Sequence, residues 1–256
     1  MPTARFDSRP ALAAPRAAAI AGVVFSVLLI LGLVLIRLSV PADPSLPGTW
    51  VSDPGRRNTV CFALNLFPFA GIAFLWFMGV LRNRLGARED QFLSTAFLGS
   101  GLLFVVSLFT AAAIAAGLLA ALADGHIVLP DSEAYYFGRR TVYMLLNVFA
   151  FKMAAVFMFS TGTIGLRTAF LPRWVALVGY ACALVLLLVI TSWAWVGLLF
   201  PLWVLLVSTV VLLAEFRRHR GGTPSEPVPR AVGQDGERHN ESGEYDRETY
   251  GASSRG

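Results

Sequence analysis

Apolar residues in this chain gather into long, nearly uncharged runs, and the charges, prolines and turn formers fall between them. The runs lie at about 17–36, 58–81, 92–123, 141–166, 174–192 and 195–215. Most reach the roughly 20 residues a helix needs to cross a hydrocarbon core of about 30 Å. In lipid a helix satisfies its own backbone hydrogen bonds. The short alternating strands and turns of a membrane barrel are missing from the pattern. It predicts an all-α, polytopic bundle of six spans over 17–216. A tail of residues 1–16 precedes it, and a tail over 217–256 comes after it. The third run is long for one crossing, so it tilts or projects beyond the membrane. The first run exceeds the roughly 7–15 apolar residues of a secretory signal and reads as a retained anchor.

One phrase occurs twice. "LNLFPF" at 64–69 returns as "LNVFAF" at 146–151, and the echo extends upstream. Arg57, Thr59, Val60, Leu64, Asn65, Phe67 and Phe69 correspond at one constant offset to Arg139, Thr141, Val142, Leu146, Asn147, Phe149 and Phe151. The simplest account is a duplicated helical hairpin, spans two–three and four–five, in the same orientation. Such repeats are common in transporters, where sites form at repeat interfaces near the midplane.

Charge then orients the bundle. Arg5, Arg9, Arg16, Arg82, Arg84, Arg88, Arg167, Arg173, Arg217, Arg218 and Arg220 fall on one side, against Arg37, Arg56, Arg57, Arg139 and Arg140 on the other. The positive-inside rule places both termini in the cytoplasm. The net charge of +5 is therefore concentrated at span ends. No basic, aromatic-interleaved patch outside the spans suggests nucleic acid. From Gly221 onward the chain has few large apolar residues and reads as a disordered cytoplasmic tail. Composition supports the membrane class: 56% of residues are hydrophobic and 14% charged, against about 25% charged in soluble domains.

The sharpest single feature is Lys152, the only lysine. It comes directly after the second copy of the phrase, where the first copy has Ala70. It sits 12 residues from Arg140 and 15 from Arg167, roughly 18 and 22 Å along a helix. The acids nearest the spans, Asp124 and Glu215, lie at their edges, so a charge at Lys152 is costly unless it is solvated, bonded or paired with an anion. Pro68 and Pro201 remove donors and are expected to kink their helices, freeing carbonyls at the level of Asn65. Together these suggest an outer-half polar pocket of Lys152, Asn65, Asn147 and Tyr143. Asn147 and Lys152, five residues apart, do not share a regular helix face.

Other chemistry is thin. No zinc-protease, nucleophile-elbow, Walker or dinucleotide fingerprint occurs, and nothing supplies a nucleophile with its base. No catalytic residue, metal site or cofactor is therefore expected. His126 beside Asp124, Asp131 and Glu133 reads as a solvated loop. Cys61 and Cys182, inside spans and without CxxC neighbours, read as buried, unreactive thiols.

Two resemblances add to this. "GVLRNRLGAR" at 79–88 is similar to the cytoplasmic loop motif of the major facilitator superfamily, with Gly79, Leu81, Arg84, Gly86 and Arg88 matching and Asn83 in place of its Asp. Six spans would make it one half of such a protein, needing a homodimer. "NLFPFAGIAFLWFMGVLRNRLG" with "STGTIGLRTAFLPRW" resembles actinobacterial six-span membrane proteins of unknown function, which implies the bacterial plasma membrane and no activity. The expectation is a permease-like or ligand-binding membrane protein whose partners are the bilayer and an anionic small molecule or lipid. The rival is a non-catalytic accessory or scaffolding protein whose polar residues only pack helices.

Overall fold

The structure is a computed structural model that describes residues 14–41, 48–85, 91–124, 132–168, 171–188 and 195–220. The expected tail from Gly221, the loop with His126 and part of the 79–88 motif lie outside them. Every regular element among the described residues is helical. They are α1 (Ala14–Ser39), a short turn of 3-10 helix (Gly48–Ser52), α2 (Pro54–Leu85), α3 (Gln91–Asp124), α4 (Glu133–Met144), a π-helical turn (Leu145–Ala150), α5 (Phe151–Arg167), α6 (Arg173–Leu188), a second 3-10 turn (Val196–Leu198) and α7 (Leu199–Arg220).

Among the described residues, five stretches are long and apolar enough to cross a membrane: Ala17–Ser39, Pro54–Arg82, Gln91–Ala123, Glu133–Arg167 and Val196–Ala214. α6 is a shorter apolar helix whose described part covers Arg173–Leu188. The fourth run begins earlier than hydropathy alone predicts. Ser132 caps α4, its Oγ accepting from the Tyr135 N–H at 3.3 Å, with Glu133 in the first turn. A carboxylate at a helix start favours the macrodipole, so the charged turns before the apolar run are helical too.

On α1 and α2 burial keeps to one stripe per helix, whereas α5 is covered nearly all round. Ala18, Ala21, Phe25 and Leu29 on α1, and Ala63, Phe67, Ala70, Phe74, Phe77 and Leu81 on α2, recur every three or four residues and are buried. The opposite faces expose Ile20, Val24, Val27, Phe62, Phe69, Ile72 and Trp76. So much exposed apolar surface suits hydrocarbon and not water. α1 packs on α2 and α7, α2 on α3, α3 on the π turn and α5, α5 on α6, and α6 on α7, which closes the ring of helices.

The ring is filled by phenylalanines. Phe25, Phe74, Phe104, Phe157 and Phe200, from α1, α2, α3, α5 and α7, are all buried. Their centroids approach to 4.8 Å for Phe25–Phe74, 5.1 Å for Phe74–Phe157 and 4.8 Å for Phe104–Phe200, with tilted or edge geometries. Such pairs add about 0.5–1.5 kcal/mol each beyond burial. The centre of the bundle is thus a dry aromatic plug.

Candidate functional site

Both copies of the echoed phrase interrupt a regular helix at the same register, by different means. In α2, Pro68 lacks the N–H that would bond the Leu64 carbonyl. In the second copy the Leu146 carbonyl accepts instead from the Phe151 N–H, five residues on, the signature of a π turn. Local bonds upstream are also repeated. Thr59 and Thr141 Oγ1 donate to the Gly55 and Phe137 carbonyls, both at 2.9 Å. Asn65 and Asn147 Nδ2 donate to the Cys61 and Tyr143 carbonyls at 2.9 and 3.0 Å.

Burial after the interruption differs. Phe67 is buried and Phe69 exposed, whereas Phe149 is exposed and Phe151 buried. One extra residue in a helical turn rotates the remainder of the helix by about 100°. That rotation separates Lys152 from the core-facing position held by its counterpart Ala70.

Lys152 Nζ donates to the carbonyl of Leu187 at 2.7 Å. Leu187 belongs to α6, so the lone lysine ties α5 to the backbone of the neighbouring helix. It is not brought together with Asn65, Asn147 or Tyr143. Pro201 sits in the first turn of α7, directly after the 3-10 turn Val196–Leu198. A missing N–H costs nothing there, so Pro201 starts a helix, whereas only Pro68 lies inside one. Cys61 is exposed on α2 rather than buried, and Cys182 is half-buried; both are free thiols.

Asn147 and Tyr143 do share a cavity. It measures about 130 Å3 and lies where the end of α1 meets the π turn and the start of α7. Arg37, Arg139, Tyr143 and Asn147 form its polar part, and Leu33, Ile36, Leu146, Phe151 and Leu198 are among its apolar walls. Among the described residues no acidic one lines it. The 3-10 turn between α1 and α2 is held over this region. Tyr135, fully buried, accepts at its Oη from Trp50 Nε1 and from Arg139 Nη1, each at 3.1 Å. Arg139 Nη2 donates to the Pro41 carbonyl at 2.6 Å. Arg139 thus braces the wall, and Arg37, half-buried at the end of α1, brings a second guanidinium to the cavity.

A second cavity of about 110 Å3 is lined by Trp50, Val60, Leu64, Phe67, Ala111, Ala115, Leu118, Leu119 and Leu122, with Tyr135 and Arg139 at its polar edge. Asn65 belongs to neither; it lines a wide groove of about 580 Å3 between α2 and α3 with Arg57, Cys61 and Pro68. Sequence reading missed Arg37, Trp50 and Tyr135. Arg37 carried only an orientation signal, and the aromatic pair lies outside the echo. No group of three His, Cys, Asp or Glu able to hold a metal occurs among the described residues.

No family model, curated protein or solved structure matches this chain.

Proposed function

We propose that this chain is a ligand-binding, permease-like protein of the bacterial plasma membrane, with six spans, both termini inside and a duplicated hairpin. Its binding site is the cavity of Arg37, Tyr143 and Asn147 in the outer half. One observation carries the reading: a guanidinium faces a cavity with a phenol and an amide at its polar part, apolar walls and no acid among the described residues of its lining. A planar guanidinium with flanking donors suits a carboxylate or phosphate. The aromatic plug beneath favours binding over free passage. Lys152, engaged with Leu187, stands apart from this site.

The accessory or scaffolding reading has its own support. Lys152, Asn65 and Asn147 each donate a bond to a backbone carbonyl, so packing alone accounts for these three. It does not account for Arg37 at the cavity.

The test is thermal stability of the purified protein against anionic solutes. A ligand at 100 times its Kd stabilises the fold by about 2.7 kcal/mol. Carboxylates or phosphates should raise the Tm of the wild type and leave Arg37→Gln unmoved. If both proteins respond alike, the anion does not bind at Arg37.

A further inference from the structure

Resting on that reading, we infer that the ligand is a single-chain anionic amphiphile, its head on Arg37 and its chain in the second cavity. The two cavities share Ile36, Val40, Arg139, Val142 and Leu146 in their linings. One layer of side chains therefore separates them. The first cavity is charged at its polar part; the second is almost wholly aliphatic and aromatic. Each is many times the roughly 10–15 Å3 that one water needs. Water gains nothing in the second cavity, because a water needs two to four polar partners, about three on average. An apolar occupant loses nothing there, and space of this character takes up hydrocarbon.

The layer between the cavities is suited to yield. Leu146 lies in the π turn, whose Leu146–Phe151 bond already departs from the α-helical ladder. Val142, Ile36 and Val40 are half-buried aliphatics, without bonds to break. Arg139 stays fixed by Tyr135 and Pro41, beside the path and within reach of the head group. A solute without a chain would leave the second cavity unused. A two-chain lipid would need a second apolar branch, and the pair of cavities offers one.

Two tryptophans make the placement measurable: Trp195 lines the first cavity and Trp50 the second. Alkyl carboxylates brominated at the chain terminus quench tryptophan on contact. Butanoate, decanoate and hexadecanoate derivatives would be titrated into the full-length protein, with decyl phosphate as the alternative head and inorganic phosphate as the chainless control. The expected result is affinity rising at least tenfold from butanoate to decanoate. Quenching by the decanoate should be lost largely in Trp50→Phe and persist in Trp195→Phe. Arg37→Gln should abolish saturable binding of all probes. Arg37-dependent binding without chain-length dependence, or without a Trp50 share of the quenching, overturns the chain placement and leaves the anion site standing. Equal binding by wild type and Arg37→Gln overturns both. Should Trp50→Phe fold poorly, Ala115→Met, which narrows the second cavity, replaces it; the long-chain advantage should then shrink and butanoate binding persist.

Discussion

Replacing Gly22 by valine is expected to leave little folded protein. A Cβ at this position of α1 would run into the Ser208 hydroxyl on α7 and come within 2.8 Å of the Phe77 ring on α2. Both partners are buried, and all three helices meet there, so no side chain can swing into space. Overpacking costs about 1–3 kcal/mol in soluble cores. Here two helix interfaces must open together, which puts the cost at or above the upper figure. Small residues at membrane helix contacts let backbones approach in this way. The check is the yield of monodisperse protein in one detergent. Gly79→Val serves as control, since nothing lies within 4 Å of its added Cβ. Equal yields for the two variants would show that α1 does not sit against Ser208 and Phe77.

Lys152→Met should lower the Tm by an amount equivalent to about 1.5–3 kcal/mol, the range for a hydrogen bond involving a charged group. Two terms oppose each other. Removing the ammonium relieves the cost of a charge in hydrocarbon, about 2.5–3.5 kcal/mol on the gentlest scale. In the folded protein that cost is already offset in part by the 2.7 Å bond to Leu187. What remains after substitution is a carbonyl facing lipid. Lys152→Arg, which keeps charge and donors, should retain most of the stability. A methionine variant as stable as the wild type, or more so, would mean that Lys152 is an unrelieved burden and that its bond to Leu187 carries no weight.

Much of the architecture is legible in the sequence because hydrocarbon imposes length and apolarity together. Run three, expected at 92–123, is α3 at Gln91–Asp124, since nothing polar interrupts it. The fourth helix reads short because Glu133, Arg139 and Arg140 mask helical turns that hydropathy cannot see. The π turn leaves no trace: "LLNVFA" contains neither proline nor glycine and reads as ordinary helix. The site is less legible still. Lys152 stands out as a charge without a counter-charge, but its partner is a main-chain carbonyl, which has no signature in sequence. Depth alone groups Asn65 and Asn147 with it, and helical phase after the π turn decides otherwise. Of the expected pocket, Asn147 and Tyr143 share a cavity, four residues apart on one helical face. The arginine that joins them comes from α1, and only the fold brings it there.

Lys152 and the carbonyl it bonds lie 35 residues apart in the chain, and this has a consequence for biosynthesis. The ribosome delivers α5 before α6, so the ammonium reaches the translocon before its acceptor exists. A solitary α5 would have to partition into lipid with its charge exposed, whereas the hairpin of α5 and α6 conceals it. The pair is therefore expected to leave the translocon together. Fused alone to a soluble reporter, Glu133–Arg167 should be extractable by alkali, and the same segment extended through α6 should be resistant. Equal resistance of both chains would show that α5 integrates unaided.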